Sequence, residues 1–284
     1  MVLSILKALS FVALPAHAEF VNSEHAPRDV EVKNDFEHLV SFGDSYTAQP
    51  STNSTSTSTG GRIWPRMVAD AAGAALHNYA RSGATCTNEY RSPGNSASST
   101  SILDDELPKF KSTWADANDT VSASLDPSTT VYSIWIGTND LGYNAFINAG
   151  NPPSYNITSV VDCIWTAMDE LYSLGANYFV LMNTAPLQLS PEYGLPDAGG
   201  VGDNEYWALK TQQNVTLTSY IMLEFTVSVN FMLAYGTPFE LLVQDRWPNA
   251  TIALFDVHRL MMDIYADGAA YLDFQSQTIF SLLL

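Results

Sequence analysis

Five short apolar runs, each broken by a small polar turn and separated by helix-length spacers, constrain this chain more than any other feature. They are His38–Phe42 before Gly43-Asp44-Ser45, Leu76–Ala80 before Ser82-Gly83, and Val131–Ile136 before Gly137-Thr138-Asn139-Asp140. Tyr178–Met182 before Asn183 and Thr251–Phe255 before Asp256 complete the set. Runs that are apolar on both faces are buried on both faces, which happens when helices cover each side of a parallel sheet. The spacers fit that role. Residues Trp64–Leu76 are alanine-rich, Ile157–Leu174 place Val160, Val161, Ile164, Met168 and Leu171 at helical spacing, and Asn204–Leu242 have room for one long helix or two shorter ones. The expected fold is α/β, a three-layer α/β/α sandwich around a five-stranded parallel sheet. Hydrophobic residues make up 46% and charged residues 15%, enough to bury such a core.

In an open parallel sheet, ligands gather beyond the carboxyl ends of the strands. Three informative polar positions fall there: Ser45 after the first run, Gly83 after the second and Asn139 after the third. Together they suit acyl transfer. Ser45 would attack a carbonyl carbon, and its own N–H, the N–H of Gly83 and the side-chain amide of Asn139 would bind the oxyanion. Preorganised donors of this kind contribute roughly 3–4 kcal/mol each. Glycine at 83 leaves the backbone open to approach, and Asn139 donates without carrying charge. There is no G-x-S-x-G elbow, so an α/β-hydrolase would lack its nucleophile.

The amino terminus predicts export. Lys7 precedes the apolar stretch Phe11–Leu14, and Ala16-His17-Ala18 supplies small residues where a signal peptidase reads. That run falls short of the roughly 20 residues a bilayer span needs, and no later segment is expected to reach it. The expected organisation is a signal over 1–18 and one catalytic domain over 19–284. Sequons at Asn53, Asn118, Asn156, Asn214 and Asn249 suit a secreted glycoprotein. Cys86 and Cys163 either pair in an oxidising compartment or remain as two buried thiols. No spacing suggests a metal or cofactor site. With 12 basic and 30 acidic residues the net charge is −18, which disfavours nucleic acid and anionic membranes as partners. A monomer acting on a small-molecule or oligosaccharide ester is expected. The Ser/Thr tract Ser51–Thr59 is expected to be a loop.

Three segments carry a resemblance. Phe42-Gly43-Asp44-Ser45-Tyr46-Thr47, Ala80–Cys86 and Trp135–Asp140 resemble the first three blocks of SGNH/GDSL hydrolases, which have a flavodoxin-like sheet. The surrounding Val161-Asp162-Cys163, Asn183–Leu187 and Phe255-Asp256-Val257-His258 are similar to fungal secreted acetylesterases of carbohydrate esterase family sixteen. The resemblance implies metal-free hydrolysis of acetyl esters on plant cell-wall oligosaccharides, with Ser45 as nucleophile and Gly83 and Asn139 in the oxyanion hole. A GDSL lipase and a non-catalytic carbohydrate-binding protein are the alternatives. The family closes on an Asp-x-x-His block before a last helix. No such block follows the fifth run, so the expectation is an incomplete domain, without its last helix, and an impaired enzyme. Of the five histidines only His258 lies near a carboxyl strand end, and structural packing is its expected role.

Overall fold

The computed structural model describes residues 36–49, 61–89, 100–115, 125–143, 145–147, 154–204 and 206–271. The expected signal over 1–18, the tract Ser51–Thr59, the sequons at Asn53 and Asn118 and the residues after 271 lie outside this set. In chain order the elements are β1 (His38–Gly43), α1 (Trp64–Ala72), β2 (Ala75–Asn78) and a π-helical turn Ile102–Glu106 running into α2 (Leu107–Ala115). Then come β3 (Thr130–Trp135), the single turn α3 (Thr138–Leu141), α4 (Ile157–Ser173) and β4 (Tyr178–Met182). After three short 3₁₀ turns follow α5 (Val215–Leu242), β5 (Thr251–Phe255), α6 (Val257–Ala266) and α7 (Gly268–Tyr271).

The strands form one parallel sheet in the order β2-β1-β3-β4-β5. Phe42 pairs with Ile134 and Gly43 with Trp135, so Phe42 and Trp135 point to opposite faces. Phe110 of α2 meets Phe42 edge-on on one face, and Trp64 of α1 meets Trp135 on the other. Helices therefore cover both sides, as expected for the three-layer sandwich. The core includes Val40, Phe42, Ile134, Phe179, Leu181 and Ile252 from the strands, with Val160, Ile164, Met168 and Leu171 from α4.

Helix ends follow local chemistry. Asn156 caps α4 in a capping box with Ser159, and Asp256 caps α6 by accepting from the Arg259 amide. The first expected helix, Trp64–Leu76, stops instead at Ala72. Gly73 takes a left-handed conformation (φ 69°) and Ala74 N–H bonds back to Ala69 O, which frees Leu76 to join β2. In the spacer 204–242, the residues before 215 are loop and 3₁₀ turn, and α5 takes the rest.

α5 overturns one expectation. Over 28 residues it is long and apolar enough by length and composition to cross a membrane, with a mean hydropathy of 1.3. In the fold it lies against α4, burying Met222, Val229, Leu233 and Leu241 together with Thr218, Ser219, Thr226 and Thr237, whereas Phe231 and Tyr235 are 57% and 72% exposed. Leu217, Tyr220 and Phe239 are also exposed on this helix.

Candidate active site

The site begins with a close approach between two strand ends. Gly43 has φ +147°, and a Cβ there would stand within 2.2 Å of the Trp135 carbonyl oxygen, so only glycine fits where β1 and β3 converge. The chain then turns tightly. Thr47 and Ala48 donate to the Asp44 carbonyl at 3.0 and 2.8 Å, and Tyr46 N–H bonds Asp44 Oδ1 at 3.0 Å. Tyr46 stacks on Trp135 at 4.9 Å, and Asn78 at the end of β2 holds the Thr47 carbonyl at 2.7 Å. Asp44 is thus fully buried and Ser45 is fully presented.

The second loop runs alongside. Arg81 N–H bonds the Gly43 carbonyl at 2.9 Å, and Gly83 sits exposed at φ +78°. The sequence argument for glycine at 83 was room for approach; a Cβ there would meet nothing within 4 Å, so the left-handed φ is what demands it. Asn139, on α3, donates its side-chain amide to the Ala84 carbonyl at 2.8 Å. One Nδ2 proton is used in this way, and the second remains for an oxyanion. Next to it, buried Asp140 accepts from Cys86 N–H at 2.8 Å and from the Tyr155 hydroxyl at 3.3 Å. Cys86 and Cys163 form a disulfide that fixes this loop to α4. The structure thus places Ser45, Gly83 and Asn139 at the carboxyl ends of three adjacent strands.

Burial also shapes the electrostatics. Burial is the main cause that pushes the Asp44 carboxyl up to about 7; the nearby Asp140 carboxyl adds to it, and the Tyr46 amide and Thr138 oppose it. Glu106, at the end of the π-helical turn, is pushed up to about 9, again chiefly by burial. Sequence reasoning missed Glu106 and the Asp140 clamp. Glu106 stands in the ordinary-looking segment Asp104-Asp105-Glu106-Leu107-Pro108, with no signal separating it from a surface carboxylate.

The histidines lie elsewhere. His258 donates its amide to Asn183 Oδ1 at 2.9 Å, and its Nδ1 lies 3.2 Å from the Thr184 carbonyl, which fixes the ring beside β4 and β5. Asn183 also donates to Asp256 at 2.7 Å. Ser45 follows β1, three strands from β5, and three steps of about 4.8 Å separate those strand ends by roughly 14 Å. The Asp-x-x-His spacing does occur once, as Asp35–His38, but His38 opens β1 at the opposite rim and contacts His77 at 3.1 Å. His17 and His25 lie outside the described residues. Among the described residues no group of three His, Cys, Asp or Glu side chains could hold a metal ion.

Residues 39–223 match the GDSL-like Lipase/Acylhydrolase family. The chain belongs to that family. It is 37% identical over 293 residues to an acetylesterase of Hypocrea jecorina, spanning 95% of this chain and 80% of that protein. An acetylesterase of Thermothelomyces thermophilus is 26% identical over 175 residues, 54% of this chain and 55% of the relative. Among solved structures, an acetyl xylan esterase matches over 82% of this chain and 83% of its own, with 11% identity and a TM-score of 0.37. This GDSL hydrolase is a carboxylic ester hydrolase, with an acetylesterase-like sequence over nearly its whole length.

Proposed function

We propose that this GDSL hydrolase cleaves acetyl and other short-chain carboxylic esters on plant cell-wall oligosaccharides, with Ser45 as nucleophile. Ser45 Oγ bonds the acyl carbon, the carbon–oxygen bond to the sugar breaks, and the alcohol leaves with a proton. Water then releases the acid from the acyl-serine. The Ser45 and Gly83 amides and the Asn139 side chain hold the oxyanion. The observation that carries this reading is the convergence of an exposed Ser45 with an Asn139 amide anchored at 2.8 Å on the loop that bears Gly83.

The proton from Ser45 needs a base. The Thr184 carbonyl takes His258 Nδ1 and leaves Nε2 outside that contact, but the ring stands beside β4 and β5, two to three strands from β1. We infer that turnover is slow while no base reaches Ser45. Loss of a triad member generally leaves roughly 10³–10⁴-fold acceleration over water from oxyanion donors and binding. We also propose that the protein is secreted, glycosylated and monomeric. The disulfide supports an oxidising compartment, and the exposed sequon residues Asn156, Asn214 and Asn249 are open to glycan addition.

The test is p-nitrophenyl acetate hydrolysis by the parent and by Ser45→Ala. Rates that are slow and equal for both support a site without its base. A fast parent silenced by Ser45→Ala overturns that impairment while keeping the nucleophile. The exposed apolar side of α5 favours a second reading, an esterase working at a lipid surface. A rate on emulsified long-chain esters above that on acetate would select it.

A further inference from the structure

Two turns must stay in register for the proposed site to work: the one after β1, which carries Ser45, and the one after β2, which carries Gly83. Beside the Arg81 N–H bond to the Gly43 carbonyl, a single buried side chain joins them. Glu106 is only 2% exposed, accepting the Gly43 amide on Oε2 at 3.0 Å and the Arg81 amide on Oε1 at 3.0 Å. Gly43 stands two residues before Ser45, and Arg81 stands two residues before Gly83. One carboxyl therefore grips both turns at equivalent points upstream of the two backbone amides assigned to the oxyanion.

We propose that Glu106 is a positioning residue that sets the spacing between the Ser45 and Gly83 amides. The proposal rests on the reading of those two residues as nucleophile and oxyanion donor. The π-helical turn that delivers Glu106 is itself well anchored: Ser101 accepts the Asp104 amide at its start, and the Glu106 amide bonds the Ser101 carbonyl at 3.0 Å. A π turn widens the helix locally, and here it sets a carboxyl against the end of β1. The far end of the Gly83 loop is fixed by other means, the Cys86–Cys163 bond and the Asp140 carboxyl on the Cys86 amide. Gly83 is thus suspended between two anchors, and at the Arg81 end Glu106 shares the amide with the Gly43 carbonyl. Burial, chiefly, pushes Glu106 up to about 9; the Asp44 carboxyl adds to the rise, and the two amides and the Arg81 charge pull the other way. Burying a carboxyl is an unfavourable way to fill space, so its contribution lies in the two amides it joins.

The test compares Glu106→Gln and Glu106→Ala with Val229→Ala, a buried core change on α5. Amide hydrogen exchange of segments 41–47 and 79–84 is measured beside p-nitrophenyl acetate kinetics. Both Glu106 variants are expected to speed exchange in the two segments together, about 10-fold or more, with 178–182 and 251–255 unchanged. Residual kcat falls at least 10-fold with KM little moved, and Glu106→Gln, which keeps one acceptor, falls less than Glu106→Ala. Val229→Ala lowers the melting temperature without either signature. Exchange that rises in only one segment, or kinetic losses that merely track melting temperature as in Val229→Ala, would overturn the proposal. If Ser45→Ala matches the parent, Ser45 does no chemistry in this form and the kinetics read only the oxyanion donors; the paired exchange then decides whether Glu106 joins the turns.

Discussion

At the ends of β1, β2 and β3, three buried carboxyls and a disulfide tie turns to one another and leave Ser45 exposed. At the ends of β4 and β5, the described polar groups tie to each other instead. Asn183 holds Asp256 and the His258 amide, and His258 leans on Thr184. The first half of the rim leaves Ser45 and Gly83 exposed; the second ties its described polar groups to one another and to Asn230 of α5. On the proposed reading a nucleophile turn and an oxyanion loop come from neighbouring strands joined by short-range hydrogen bonds, and the far half offers Ser45 no partner among the described residues.

The comparison can be broken at its strongest staple. The disulfide spans a sequence separation of 77, and chain-entropy reasoning gives it about 4 kcal/mol. Replacing both cysteines by alanine should lower the free energy of urea unfolding by that order, with hydrogen exchange rising first around residues 79–89. Equal loosening near 251–258 would mean the halves are not separately held.

A smaller effect sharpens the contrast in chemistry. Asn139→Ala should cut the residual ester turnover by about 10²-fold, or roughly 3 kcal/mol, as loss of an oxyanion donor does. Asn183→Ala, at the equivalent place on β4, should leave turnover unchanged while lowering stability modestly. Matching losses in the two variants would erase the distinction.

The third concerns pH. Burial raises Glu106 to about 9, so the folded state keeps a proton that the unfolded chain releases near its ordinary value of 4.5. Stability from this group is full below that ordinary value and is lost as pH rises toward 9. Asp44, raised to about 7 from 3.8, acts in the same direction at lower pH. Urea midpoints should fall between pH 7 and 9 by an amount equivalent to about 2 kcal/mol, and Glu106→Gln should flatten that limb. A midpoint rising over this interval would contradict the assignment.

The smallest expected change is His258→Ala. It removes one contact to a carbonyl, costs about 1 kcal/mol or less in a melt, and leaves ester turnover where it was. A clear drop in turnover would make His258 the base and join the two halves.

Much of the fold was legible because both-face burial writes apolar runs into the chain. β4 and β5 match their runs residue for residue, and β1 differs by one. β2 is displaced toward its amino end, since Gly73 ends the preceding helix earlier than alanine content suggested. Ser45, Gly83 and Asn139 were readable because each lies in the turn or loop that follows a strand, two, five and four residues past its end, so sequence position equals position on the rim. Glu106 was not. It reaches Gly43 across 63 residues and Arg81 across 25, and nothing local marks a carboxylate that will be buried. α5 misled for the opposite reason: it is apolar nearly all round, and only packing decided which of its apolar residues would stay exposed.

The exposed apolar side of α5 also governs how the protein behaves at the bench. Its exposed tyrosines, phenylalanines and leucines lie on a helix with only two charged residues, Glu224 and Glu240, in a molecule of net charge −18. At low salt the acidic remainder keeps molecules apart in solution. Sulfate removes that repulsion and strengthens apolar contact together, so the protein should be retained on a phenyl column at modest ammonium sulfate and released as the salt is withdrawn.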